Sequence, residues 1–151
     1  MTPEEEMFSV VKSKLETNSA LITAVGGTPR VHYWRQNANT DYPYIIYDLN
    51  DIRTLEPPGI GFTGRFTISL WFYASNSLKA FQTRTAVIQE FNQKTIHGTN
   101  LVNCRFWYSN DSRKEVEKKD NVRDKDVICH DIVFDVRYYV VTTVEAAEFT
   151  I

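Results

Sequence analysis

The chain has 151 residues, 42% of them hydrophobic and 13% aromatic, with a formal net charge of −2. That length suits one domain able to bury about 68–70% of the surface its unfolded form exposes, so neither a disulfide nor a metal is needed for folding. The charge balance argues against a general nucleic-acid binder, which shows a basic excess, while leaving room for a local basic patch, and the hydrophobic share argues against wholesale disorder. The first ten residues hold no basic stretch followed by an apolar core, and no apolar run approaches a membrane span. A soluble chain made in a cytoplasm is expected. Cys104 and Cys129 are too few and too far apart for a disulfide framework, so two free thiols are expected.

Thr2-Pro3-Glu4-Glu5 is a helix start: Thr2 can cap, Pro3 suits the first turn and Glu5 completes a capping box. Met7 or Phe8, Val11 and Leu15 follow at helical spacing. "SALITAV" extends this helix, and Gly26-Gly27 stops it. "RVHYW", residues 30–34, reads as a short strand, and a polar loop leads to "DYPYIIYDLN", residues 41–50. There Pro43 opens a run of strong strand formers. The Pro- and Gly-rich stretch 52–64 reads as a long loop.

"RFTISLWFYA", residues 65–74, alternates most clearly. Phe66, Ile68, Leu70 and Phe72 fall on one face; Arg65, Thr67, Ser69, Trp71 and Tyr73 fall on the other. Residues 75–93 change period, and Leu78, Phe81, Ile88 and Phe91 form a stripe with Ala80 and Val87 beside it, capped by Ser75 or Asn76. Residues 101–109 read as a third strand. The eighteen residues 109–126 carry twelve charged side chains and read as a solvated, mobile loop. A fourth strand, 127–144, alternates Ile132, Phe134, Val136, Tyr138 and Val140 with Asp131, Val133, Asp135, Arg137 and Tyr139. These elements predict an α+β fold: a mostly antiparallel sheet of four strands or slightly more, with two helices on one face. Phe66, Ile68, Leu70, Phe81, Ile88, Phe91, Phe134 and Val136 are expected to line its interior. The open face mixes charge with aromatics, which suits a protein interface.

No convergent acid–base or nucleophilic group stands out. His32, His97, His130 and the two cysteines match no zinc spacing, and Cys129 and His130 alternate on a strand. Asp131 and Asp135, four residues apart on a strand, lie about 13 Å from each other, too far for a catalytic pair. No phosphate loop, nucleophile elbow or metalloprotease motif occurs. No catalysis and no cofactor are expected. A rival reading takes the strand aromatics of "RFTISLWFY" and "NCRFWY" as a base-stacking platform for single-stranded nucleic acid.

The ordered set resembles the tail terminator (tail completion) proteins of long-tailed bacteriophages. It comprises a helix ending at Val25-Gly26-Gly27, the Pro43-Tyr44-Ile45 strand entry, a glycine before "RFTISLWFYA", the helix "LKAFQTRTAVIQEFN" and the final strand "VFDVRYYV". The resemblance implies a structural virion protein, assembled in the bacterial host cytoplasm. It implies a homohexameric ring that caps the tail tube, ends its polymerisation and presents a surface to the head connector. A head-completion or connector protein of the same particle is the alternative. The implied partners are further copies of the chain, the major tail tube protein and the head–tail connector, with no membrane and no specific nucleic acid. The open face and the two long loops, 52–64 and 109–126, supply the expected interface residues: Arg53, Phe62, Arg65, Trp71, Tyr73, Arg113, Lys114, Lys118, Lys119, Asp135, Arg137 and Tyr139. The free chain is expected to be monomeric or a weak ring.

Overall fold

In a computed structural model, residues 1–34, 41–55, 61–120 and 123–140 are described; of residues 116–120 and 123–126 only the backbone is. Three α-helices and a curled six-stranded sheet, a half-barrel, make up the described chain. The helices are α1 (Pro3–Thr17), α2 (Ser19–Val25) and α3 (Ser77–Phe91). The strands are β1 (Val31–Tyr33), β2 (Tyr44–Thr54), β3 (Gly61–Tyr73), β4 (Thr95–Ile96), β5 (Leu101–Asp120) and β6 (Arg123–Val140), in the order β1-β2-β3-β6-β5-β4.

The four-stranded antiparallel sheet with two helices is therefore corrected. β1 runs parallel to β2, with His32 opposite Ile46, so the sheet is mixed. Three- and two-residue strands such as β1 and β4 are too short to show a period of two. The first helix is broken at Asn18, whose backbone is extended and whose side chain accepts a hydrogen bond from the Leu21 amide, starting α2. The capping box of α1 forms as expected: Glu5 N donates to Thr2 Oγ1 and Thr2 N to Glu5 Oε1. Gly26, at φ 78°, closes α2 in the left-handed region that glycine enters freely.

Both stretches expected to be loops are largely strand. β2 runs to Thr54 and β3 starts at Gly61; residues 56–60 lie outside the described residues, as do 35–40 and 141–151. Residues 109–120 and 123–126 form the outer half of the β5–β6 hairpin. The side chains of residues 109–115 are exposed or half-buried, which a strand accommodates as readily as a loop. The backbone groups are satisfied across the ladder, with Glu117 opposite Asp126 and Lys119 opposite Asp124.

The helices share one face of the sheet. Phe8 of α1 meets Phe66 at 6.1 Å and Phe91 of α3 meets Phe134 at 6.1 Å, while Phe66 and Phe134 are direct cross-strand partners. Met7, Val11, Leu15, Phe66, Ile68, Leu70, Phe72, Phe106, Ile132, Phe134, Val136 and Tyr138 are buried between these layers. Glu6 ties α1 to the β4–β5 turn by accepting from the amides of Thr99 (2.7 Å) and Asn100 (2.8 Å).

The buried stripe of α3 is rotated from the expected one. Leu78 and Phe81 are 70% and 45% exposed and Ile88 is half-buried; Ala80, Thr83, Ala86, Val87 and Phe91 face the sheet. Small residues let the helix approach closely, and the Thr83 hydroxyl is satisfied within the helix by donating to Lys79 O at 2.7 Å.

Candidate assembly interface

No helix among the described residues covers the sheet's second face. Alternation puts Arg65, Thr67, Ser69 and Trp71 of β3 there, with Asp131, Asp135 and Arg137 of β6. A bulge in β2 adds to this face. The register runs Asn50↔Arg65 and then Arg53↔Thr63, one residue out of step, with Asp51 at φ 52°. Without the extra residue Ile52 would stand opposite Thr63; the bulge turns Arg53 onto the open face instead.

Four of the expected interface residues, Arg53, Arg65, Asp135 and Arg137, line one groove of about 520 Å³ with Asp51 and Trp107. Arg65 lies 3.7 Å from Asp51 on the exposed rim and directly opposite Asp135 in the ladder. Arg105, beside the groove, stacks over the Trp107 ring at 5.5 Å. Arg105, Trp107 and Asp51 are absent from the sequence-derived set. The inward burial of Phe106 between Arg105 and Trp107 is a readable signal for the first two, while Asp51 depends on the bulge.

Trp71 lines a second hollow of about 270 Å³ with Trp34, Asp48 and Ser69. It stacks on Tyr44 at 5.9 Å, and Tyr42 bridges Tyr44 and Tyr73 at 5.1 and 4.8 Å. The strand entered through Pro43 thus supplies an aromatic cluster to the open face. Burial pushes the Tyr44 hydroxyl pKa upward, with Tyr42 adding to the shift.

Others of the twelve lie elsewhere. Phe62 turns toward the core side and stacks on Tyr138 at 5.4 Å. Tyr139 is half-buried, its ring lying where a Cβ on Gly61 would come within 2.9 Å. Lys114 is on the open face, 3.7 Å from Asp131, which also accepts from Ser69 Oγ at 2.6 Å. Arg113 faces the helix side, 5.3 Å over the Phe81 ring. Lys118 and Lys119 pair with Lys125 and Asp124 along the hairpin backbone; their side chains lie outside the described residues.

Chemistry-bearing groups are dispersed. Burial pushes both Cys104 and Cys129 up to about 12, with Asp131 adding to the shift at Cys129, so neither is a thiolate at neutral pH. His130 is buried under Phe81 and its ring nitrogens have no hydrogen-bond partner among the described residues; burial lowers its pKa, and Arg113 adds to this. Among the described residues no group of three or more His, Cys, Asp or Glu could hold a metal, and no helix is long and apolar enough to cross a membrane.

One cluster outside the open face clamps α3 to the hairpin. Arg84 donates from Nε and Nη2 to the Asp111 carboxylate, the latter at 2.9 Å, and the Tyr108 hydroxyl donates to it as well. The Arg84 hydrogen bonds hold Asp111 down at about 2. A depressed carboxylate contributes stability above its unfolded pKa, near 4, and loses it as pH falls toward 2. Arg84→Met is therefore expected to lower stability by about 1–3 kcal/mol at neutral pH, with the difference from wild type shrinking below pH 4. Urea titrations at pH 7 and pH 2.5 check this. A deficit equal at both would show that packing, not the ion pair, is lost.

No sequence-family model matches the chain, and no curated protein does. Among solved structures, the chain is similar to one from the "Virion of native gene transfer agent (GTA) particle". The match has a TM-score of 0.64 at 21% identity and covers 85% of this chain and 91% of that one. The two share a fold over nearly their whole lengths, and the neighbour is a component of a multi-protein virion.

Proposed function

We propose that the chain is a structural virion protein, and within that class a tail terminator: a homohexameric ring that caps the tail tube, ends its polymerisation and presents a surface to the head connector. The observation that carries the reading is the fold shared over 85% of this chain with a chain of a gene transfer agent virion. The uncovered sheet face supports it, since a ring requires one patch to meet a different patch on the next copy. The reading assigns the chain no reaction and no cofactor. Its partners are further copies of itself, the tube protein and the connector, met in the host cytoplasm during particle assembly.

Disrupting the gene in a particle-producing cell tests the assignment. Electron microscopy is expected to show tails of abnormal length and heads without tails. Tails of normal length that fail to join heads would favour the head-completion reading. Normal joined particles would overturn both.

A further inference from the structure

One row can be followed across five strands of the open face. Arg53 on β2 stands opposite Thr63 on β3, Thr63 opposite Arg137 on β6, Arg137 opposite Arg105 on β5, and Arg105 opposite Thr95 on β4. Strands lie about 4.8 Å apart, so Arg137 and Arg105 are immediate neighbours and Arg53 is about 10 Å further along. Like charges directly opposite each other are destabilising. Among the described residues neither guanidinium of this pair forms an ion pair; the one ion pair at the groove joins Arg65 to Asp51. A chain of net charge −2 thus gathers four guanidinium groups around two carboxylates, Asp51 and Asp135. Stacking on Trp107 orders the Arg105 head while leaving its edge N–H donors for a ligand.

We propose that this row is a docking site for an acidic segment of a partner protein, whose carboxylates pair with Arg53, Arg105 and Arg137. The proposal rests on reading the open face as an interface, and adds the chemistry of what it meets. Guanidinium groups take carboxylates in planar, two-point hydrogen bonds, and a peptide can place its acids at the arginines and away from Asp51 and Asp135. A continuous phosphodiester strand would have to pass both aspartates, and the net negative chain lacks the long-range field that gathers nucleic acid.

Fluorescence anisotropy with the full chain tests this, using labelled hexaglutamate, hexaglutamine, hexalysine and mixed-sequence single-stranded DNA as probes. Hexaglutamate is expected to bind, weakening as salt rises, and hexaglutamine is not. Arg105→Glu/Arg137→Glu is expected to bind hexaglutamate at least tenfold more weakly and to take hexalysine in its place. Arg105→Gln/Arg137→Gln, which introduces no new charge, is expected to melt no lower than wild type and still to lose hexaglutamate. Equal binding of hexaglutamate and hexaglutamine, or hexaglutamate binding that survives either double variant, would overturn the proposal. DNA binding tighter than hexaglutamate and lost in the same variants would overturn it in favour of a phosphate site. The assay needs no particle. Failure here with the chain present in particles sinks the arginine row alone; binding here with the chain absent from particles sinks the virion reading alone.

Discussion

Phe134→Ala is expected to lower the free energy of unfolding by about 3–5 kcal/mol, the usual cost of emptying a fully buried phenylalanine site. Phe134 has no exposed surface. Its ring is met edge-on by Phe91 of α3 at 6.1 Å, Phe106 of β5 at 6.2 Å and Tyr108 at 6.3 Å, and Phe66 is its cross-strand partner. It therefore joins one helix to three strands, and a cavity there has rigid walls that cannot easily collapse. At about 2–4 °C per kcal/mol for a chain of this size, the melting temperature should fall by about 6–20 °C. Phe81→Ala is the control. Phe81 is 45% exposed, so its removal should cost far less despite the same change of side chain. Equal melts for Phe134→Ala and wild type would mean that the helices cover the other face of the sheet.

The second large effect is expected on assembly. The tip of the β5–β6 hairpin, beyond the Arg84–Asp111 clamp, can be shortened in register. Val116 stands opposite Val127, so replacing Glu117–Asp126 by Asn-Gly would close the hairpin with a two-residue turn suited to its twist. The buried residues Val127–His130 and the Arg84–Asp111 clamp are retained, so melting should change little. If the projection contacts tube or connector, infectious or transducing particles should nonetheless fall by orders of magnitude. Loss of joining with tails of normal length would place the hairpin on the connector side. Tails of abnormal length would place it on the tube side. Full particle yield would remove it from the docking surface.

Much of the layering was legible in the chain because its long strands bury one face only. A period of two over seven or more residues, as in Phe66–Phe72 and Ile132–Tyr138, identifies the buried side without tertiary information. The capping box at Thr2–Glu5 likewise needs only local chemistry. What failed depended on partners. β1 and β4 become strands only by pairing with β2 and β5. Within the charged segment, residues 109–120 and 123–126 belong to the sheet because β5 and β6 pair with each other there, which composition does not reveal. In α3 the large residues Leu78 and Phe81 outweighed Ala80, Thr83 and Ala86 in the sequence pattern, yet close helix–sheet contact selects the small ones.

The candidate interface divides in the same way. Alternation alone puts Arg65, Asp135 and Arg137 on one face. Arg53 joins them only through the bulge at Asp51, and Arg105 meets Arg137 only through the β5–β6 register, itself shifted between Val102 and Arg105. These depend on how neighbouring strands align, which a single strand's pattern does not specify.

The most direct test of the virion reading is a copy count in purified particles. Quantitative mass spectrometry of particles from a producing strain is expected to find six copies of this 17.5 kDa chain per tail. Dissociated tails should release them as a ring of about 105 kDa on a native mass measurement. A chain missing from purified particles, while abundant in the cells that made them, would contradict the account.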